Sequence, residues 1–224
     1  MRLRPLAVAA ALAAASLARG APVAVPLTPA AVQPVVGIWE FSGTGTGAEV
    51  EVRGDRWEQA PAAGAAGTLA LMFQGLPESV LDEVKAFYYF PLALVREGTF
   101  TGGTLSLDVQ PLSGQVDRAG GIAFGMASPE SYWLLRLNAR EDNVMLFEYV
   151  KARRMTRYLH RLPLRTGRWY TLAATVNGRR VEARLDGHKL FVYDLPRPIA
   201  GKFGLWSKAD SRTRFRRFTA DPHP

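Results

Sequence analysis

Two dipeptides, Asn177-Gly178 and Asp186-Gly187, lie nine residues apart and limit what this chain can fold into more than any other feature. Two-residue hairpin turns need positive φ at their central positions, which Asn-Gly and Asp-Gly supply at least cost. The runs that they separate (169–176, 179–185 and 188–193) have strand length, so the spacing predicts a three-stranded antiparallel meander. Upstream, Leu105, Leu107 and Val109 alternate with Ser106, Asp108 and Gln110, the pattern of a half-buried strand. Residues 201–206 and 213–219 add two further strands. Many short strands with turn signals roughly every 8–12 residues predict an all-β, two-sheet antiparallel sandwich. Trp39, Trp57, Phe100, Phe124, Trp133, Phe147, Trp169, Phe203 and Phe215 supply bulky material for its core.

Three stretches break the rhythm. Residues 25–36 hold three prolines and read as an extended lead-in. Residues 60–67 form a small-residue loop. In 77–87, Val80, Leu81, Val84 and Phe87 recur at helical spacing after Pro77-Glu78, which predicts one short surface helix acting as a core plug or a lid.

Residues 1–24 read as a secretory leader, with Arg2 and Arg4, an apolar run over 6–17, and Ala18-Arg19-Gly20 as the cleavage site. That run is shorter than the roughly 20 residues of a spanning helix, and no later run approaches this length, so no transmembrane segment is expected. The expected organisation is the leader, the lead-in, and one sandwich domain over 37–220, in the periplasm or outside a bacterial cell. The absence of cysteine excludes disulfides, thiolate metal sites, a thiol nucleophile and a lipid-anchoring cysteine.

The formal charge is +8. Without Arg2, Arg4 and Arg19 it is +5, from 25 basic and 20 acidic residues. Seven of the basic residues lie between Lys151 and Arg168, a stretch without Asp or Glu. Arg212, Arg214, Arg216 and Arg217 form a second cluster. Both fit either a solvated strand face or attraction to an anionic envelope polymer. No nucleic-acid recognition motif accompanies the charge, so no nucleic-acid partner is expected.

The segment 120–143 holds the candidate binding face. If Trp133, Leu135 and Leu137 face the core, period-2 geometry turns Tyr132, Leu134, Arg136 and Asn138 to the other side. An aromatic ring, a guanidinium and an amide on one face suit a shallow groove for a hydroxylated ligand. Glu141, Asp142 and Asn143 follow in the next turn, either as ligand contacts or as turn caps. Lys208 and Asp210 form a second polar pair, readable as a sugar-contacting loop or as an ion-paired one. His160, His188 and His223 are too scattered for a metal site or a catalytic triad. No cofactor is expected, although Asp117, Asp142 and Asp210 could offer oxygen ligands to calcium.

From about Gly103 to Phe218 the chain resembles the concanavalin A-like lectin/glucanase superfamily. Within it, the chain is similar to the secreted bacterial 3-keto-disaccharide hydrolase-like (family 16 glycoside hydrolase-like) group. The matching residues are Pro111-Leu112-Ser113-Gly114, Asp117, Ala119-Gly120-Gly121, Tyr132-Trp133, Arg136-Leu137-Asn138-Ala139 and Glu141-Asp142-Asn143-Val144. They continue with Gly167-Arg168-Trp169-Tyr170, Leu185-Asp186-Gly187 and the run from Gly204 to Ser211. The resemblance implies a jelly-roll sandwich and an extracytoplasmic role with sugars. One departure matters: the family 16 glucanase motif E-x-D-x-x-E, which aims two carboxylates at one face for retaining hydrolysis, is absent. Glu49 and Glu51 share a face, but on an expected edge strand.

Three functions are consistent with this reading: a module binding carbohydrate or envelope polysaccharide on a concave face through Tyr132, Arg136, Asn138, Lys208 and Asp210; a hydrolase or lyase acting on modified (3-keto) glycosides through Glu141, Asp142, Glu148, Lys208 or Asp210; and a structural envelope or adhesion protein using its basic faces.

Overall fold

The computed structural model describes residues 22–59, 89–151 and 153–221; most of the leader, the 60–67 loop and the 77–87 helix lie outside them. The meander is present as β11 (Tyr170–Asn177), β12 (Arg180–Leu185) and β13 (His188–Asp194). Its second turn places Asp186 at φ 50° and Gly187 at φ 79°, with Leu185 paired to His188. The first turn differs from expectation. Asn177 pairs with Arg180, so the turn residues are Gly178 and Arg179, and only Gly178 has positive φ (58°). Glycine at the first central position makes this the other favoured hairpin type.

The meander is one flank of an eight-stranded antiparallel sheet. Its order continues through β6 (Gly103–Ser113), β15 (Arg212–Asp221), β4 (Glu49–Arg53) and β3 (Trp39–Ser42), with β1 (Val23–Ala24) also on β15. A seven-stranded antiparallel sheet faces it, ordered β10 (Arg153–Arg161), β9 (Asn143–Val150), β8 (Ser131–Asn138), β7 (Ala119–Ser128), β14 (Lys202–Ser207), β5 (Leu92–Val95) and β2 (Val32–Val36). The described residues contain no α-helix, only 3-10 turns at Gly45–Gly47 and Gly54–Gln59.

Two expectations change at the N-terminal end. The lead-in is not all outside the sandwich: Val32–Val36 is an edge strand, where Pro34 needs no ladder donor and the register shifts beside it. Glu49 and Glu51 are not on an edge strand either. β4 is flanked by β3 and β15, a pairing across more than 150 residues that local pattern cannot reveal.

Leu105, Leu107, Val109, Leu172, Val176, Phe215, Val50 and Val52 from the larger sheet meet Ile122, Phe124, Trp133, Leu135, Leu137, Leu146 and Leu205 from the smaller one. Trp133, Leu135 and Leu137 thus face inward as period 2 requires. Phe147 and Trp169 depart from the expected core list. Phe147 lies one position out of phase with core residue Leu146 and joins the opposite face. Trp169 precedes inward-facing Tyr170 and is half-buried on the outer surface, with the Arg216 guanidinium 4.0 Å above its ring.

The basic cluster near the C-terminal end is largely neutralised across strands. Arg212 and Arg214 bind Glu51, and Arg216 and Arg217 bind Asp108. The other cluster lies largely on edge strand β10 and the turns around it. There Arg157 pairs with Glu148, while Lys151, Arg153 and Arg161 have no ion pair among the described residues.

Candidate functional site on the outer face of the smaller sheet

Register places Tyr149 beside Tyr132, Phe147 beside Leu134, Met145 beside Arg136 and Asn143 beside Asn138, all turned away from the inter-sheet core. The expected shallow groove is a covered layer instead. Tyr132, Leu134, Arg136, Asn138, Phe147, Tyr149 and Trp206 are all buried, with Arg136 only 3% exposed. Among the described residues, Phe90 stacks on Trp206 at 5.7 Å and Arg154 lies over Phe90 and Phe147, forming part of the cover. The rim is more open: Val36, Phe90, Leu94, Met145 and Arg154 are half-buried.

One end of this face is polar and contains two knots. In the first, Arg136 Nη2 donates to Glu141 Oε2 at 2.8 Å, and Asn143 Nδ2 donates to the same oxygen at 3.2 Å. Glu141 is the reachable member, its side chain 43% exposed. Burial, the largest single influence, would raise its pKa, but Arg136, Asn143 and Lys208 together hold the carboxyl below its usual value. In the second knot, Asp117 accepts from Asn138 Nδ2 on one oxygen and pairs with Lys208 Nζ through the other, all three buried. Burial raises the Asp117 pKa, with Lys208 opposing it most strongly.

The other end is aromatic. Tyr132 and Tyr149 stack with ring centroids 4.3 Å apart. Burial, reinforced by Tyr149, keeps the Tyr132 phenol well above its usual pKa, and burial pushes Tyr149 up to about 12. Both remain neutral hydroxyls across the physiological range. Trp206 and Arg154 lie close enough to the two phenols to lower their pKa values against burial, although Tyr149 Oη, Trp206 Nε1 and Arg154 Nη1 fall short of full hydrogen-bond geometry. Arg136 Nε and Nη1 and Asn143 Oδ1 are likewise buried and unpartnered. Each such atom costs on the order of 1–3 kcal/mol. The three on Arg136 and Asn143, on the same face as aromatic-end groups with incomplete hydrogen bonds, require a reason.

The remaining candidates are occupied by the protein itself. Asp210 accepts from the backbone N–H groups of Gln115, Val116 and Asp117, at 2.5 Å and about 3.0 Å. Asp142, at φ 51°, accepts from the Leu164 N–H at 2.9 Å. Glu148 binds Arg157 at 2.6 Å, on the core-facing side of β9. Asp117, Asp142 and Asp210 therefore turn to three different sets of protein donors and do not form one oxygen cage. Among the described residues, no three His, Asp or Glu side chains gather to hold a metal. A cavity of about 100 Å³ opens beside the tyrosine stack, lined by Ser131, Glu148 and Ile199 among others. It is below the roughly 300 Å³ at which ligand pockets begin. An open depression of about 370 Å³ on the larger sheet is lined by Glu40, Ser42, Glu49, Glu51 and Arg214; Glu51 pairs with Arg214 and Glu40 with Arg53.

The candidate set thus divides. Arg136, Asn138, Glu141, Asn143 and Lys208 converge on one end of the face, Tyr132 lies at its aromatic end, and Asp142 and Asp210 brace turns. Sequence reasoning missed Asp117 as the hub, and Phe147, Tyr149, Arg154 and Trp206 as parts of the face. For Phe147 and Tyr149 a signal existed: odd-numbered residues of β9 share the face of Asn143.

No protein-family model matches the chain, and neither does any curated protein sequence. Solved structures match its fold. A carbohydrate-binding module, CBM66 from Bacillus subtilis, superposes with TM-score 0.59 at 16% identity, covering 84% of this chain and 93% of that one. A Bacillus subtilis protein of unknown function with a galectin-like fold gives 0.58 at 12% identity, covering 91% and 96%. A Bacillus licheniformis β-glucanase gives 0.54 at 9% identity, covering 92% and 99%. The chain has the concanavalin A-like lectin/glucanase fold; at these identities the likeness extends no further.

Proposed function

We propose that this protein is an exported carbohydrate-binding sandwich that receives its sugar on the outer face of the seven-stranded sheet. The observation carrying this reading is the set of buried polar atoms short of full hydrogen bonds along one face, with Arg136 and Asn143 at its polar end and Tyr149, Trp206 and Arg154 toward its aromatic end. Donors (Arg136 Nε and Nη1, Arg154 Nη1, Trp206 Nε1), an acceptor (Asn143 Oδ1) and a hydroxyl (Tyr149) lie beside the apolar faces of Tyr132, Phe147 and Trp206. A sugar presents the complement, hydroxyls around its edge and C–H faces for aromatic contact. The fold shared with CBM66 supports the same reading. The leader-like residues 1–24 are the basis for placing the protein in the periplasm or outside the cell.

The reading predicts an inverse relation between stability and binding. Arg136→Met fills similar volume and removes two unsatisfied donors, while half-exposed Glu141 returns to water. The variant should be as stable as the wild type or more stable, by about 1–3 kcal/mol, and its glycan affinity by calorimetry should fall at least about tenfold. Unfolding of Arg136→Met would make Arg136 a structural strut and remove the support for a site here.

A second reading assigns the same cluster to processing of a modified (3-keto) glycoside, as the resemblance to the hydrolase-like group implies. It is favoured by one observation: Asp117 is held above its usual pKa and Glu141 below it, within reach of each other's charge. Carboxyls with separated pKa values are the requirement for acid/base work. This reading expects turnover of a 3-keto-disaccharide that Glu141→Gln abolishes; absence of turnover by the wild type rejects it.

A further inference from the structure

We infer that the basic edge strand β10 docks an extended acidic segment of another polypeptide, added to the seven-stranded sheet as its next strand. This goes beyond the carbohydrate reading and does not rest on it. β10 pairs with β9 on one side and, among the described residues, with no strand on the other. Its outward N–H and C=O groups are a template for a further strand. A bulge at Arg157 divides β10 into two regular halves, and the second, 158–161, carries exposed apolar side chains. Tyr158 and Leu159 are 38% and 41% exposed, and alternation sends them to opposite sides of the strand. Tyr158 lies level with core residue Leu146 and stacks on Phe191 of β13 at 4.2 Å, where the edges of the two sheets meet. Leu159 and Arg161 share the outer face, level with Met145 and Asn143.

Charge selects the occupant. Residues 151–168 hold seven Lys/Arg and no Asp or Glu. Lys151, Arg153 and Arg161 are exposed, without an ion pair among the described residues. The carboxylates on and just before β9 are already engaged: Glu148 by Arg157, Glu141 by Arg136, and Asp142 by the Leu164 N–H. A second copy is the wrong occupant. Two β10 strands pairing antiparallel about Arg157 would set Arg153 against Arg161, like charges directly opposite. An anionic polysaccharide would answer the charges but leave the outward backbone groups without a ladder. A polypeptide strand alternating acidic and apolar residues meets both needs, its acids toward Arg161 and its apolar groups toward Tyr158.

The test uses three peptides of equal length: a Glu-Val repeat, a Lys-Val repeat, and a Glu-Pro repeat that keeps the acids but cannot complete a ladder. Polygalacturonate is the fourth probe. Affinity is read by calorimetry, and protection of backbone amides by hydrogen exchange with mass spectrometry. The Glu-Val repeat is expected to bind at least about tenfold more tightly than either other peptide and to slow exchange within 153–161. Arg153→Glu/Arg161→Glu should weaken it at least about tenfold. Arg179→Glu/Arg180→Glu, which reverses two exposed charges at the β11–β12 turn, should leave it unchanged. Failure of the folded protein to bind the Glu-Val repeat overturns the inference, as does protection at another edge strand instead of β10. Equal losses in the two double variants also overturn it, because general basicity would then be the cause. So does binding of the Glu-Pro repeat or polygalacturonate as tight as that of the Glu-Val repeat, which would make the strip a surface for any polyanion. None of these outcomes bears on the carbohydrate face.

Discussion

Lys208→Met is expected to destabilise the protein by about 3–5 kcal/mol, the cost of leaving one member of a buried ion pair alone. Lys208 and Asp117 are both buried, and among the described residues the other side-chain donor to the Asp117 carboxyl is Asn138. At this chain length the loss corresponds to a fall in Tm of about 10 °C. Its pH dependence identifies the group responsible. Burial already places the folded-state pKa of Asp117 above its ordinary 3.8, so protonation favours the folded protein. That contribution is full below the unfolded-state value and is lost as pH rises through the folded-state one. Removing Lys208 raises the folded-state value further, so the deficit of the variant should shrink as pH falls from 7 toward 4, followed by thermal melting. A deficit constant over that range would exonerate Asp117. Adding Asp117→Asn should recover most of the loss at neutral pH, because asparagine keeps an acceptor for Asn138 without a buried charge.

Gly114→Ala should be comparably damaging, by about 3 kcal/mol or more, for a reason located in the backbone. Gly114 has φ 149°, and a Cβ built there would lie 1.7 Å from the Asp117 carbonyl oxygen. That overlap cannot be relieved by a rotamer change. The turn must open, and this turn presents three successive N–H groups to Asp210 and positions Asp117 against Lys208. Chemical denaturation should therefore show a lower midpoint for Gly114→Ala. Gly178→Ala provides the contrast: it shares a positive φ of 58° but has no atom within 4 Å of the added carbon. A Gly114→Ala midpoint no lower than that of Gly178→Ala would show that the 114–117 turn carries no such constraint.

Legibility from sequence followed the range of the interaction. The meander and the inward parity of Trp133, Leu135 and Leu137 depend on neighbours within about ten residues, and both were readable. Glu49 and Glu51 were misplaced because the strand covering them arrives from residues 212–221. The outer face of the smaller sheet looked open because nothing near Tyr132 announces Phe90 or Arg154 above it. Asp117 carries no period or motif of its own; its importance comes from Asn138 and Lys208, which approach it from opposite directions in the chain. Arg136 and Asn138 were found from parity alone, since a cation and an amide alternating with Trp133, Leu135 and Leu137 stand out. Their burial was not readable, because period 2 tells which side a residue faces and not what covers that side.

The order of the strands has a consequence for how this protein comes into being. β3 and β4 reach the rest of their sheet only through β15, and β2 and β5 reach theirs only through β14. The early pairs β3–β4 and β2–β5 can therefore form by themselves but cannot join the rest of their sheets until residues 202–221 have left the ribosome. Neither sheet can close before those strands are made, so the two early strand pairs stay unanchored to the later meander and central strands until then.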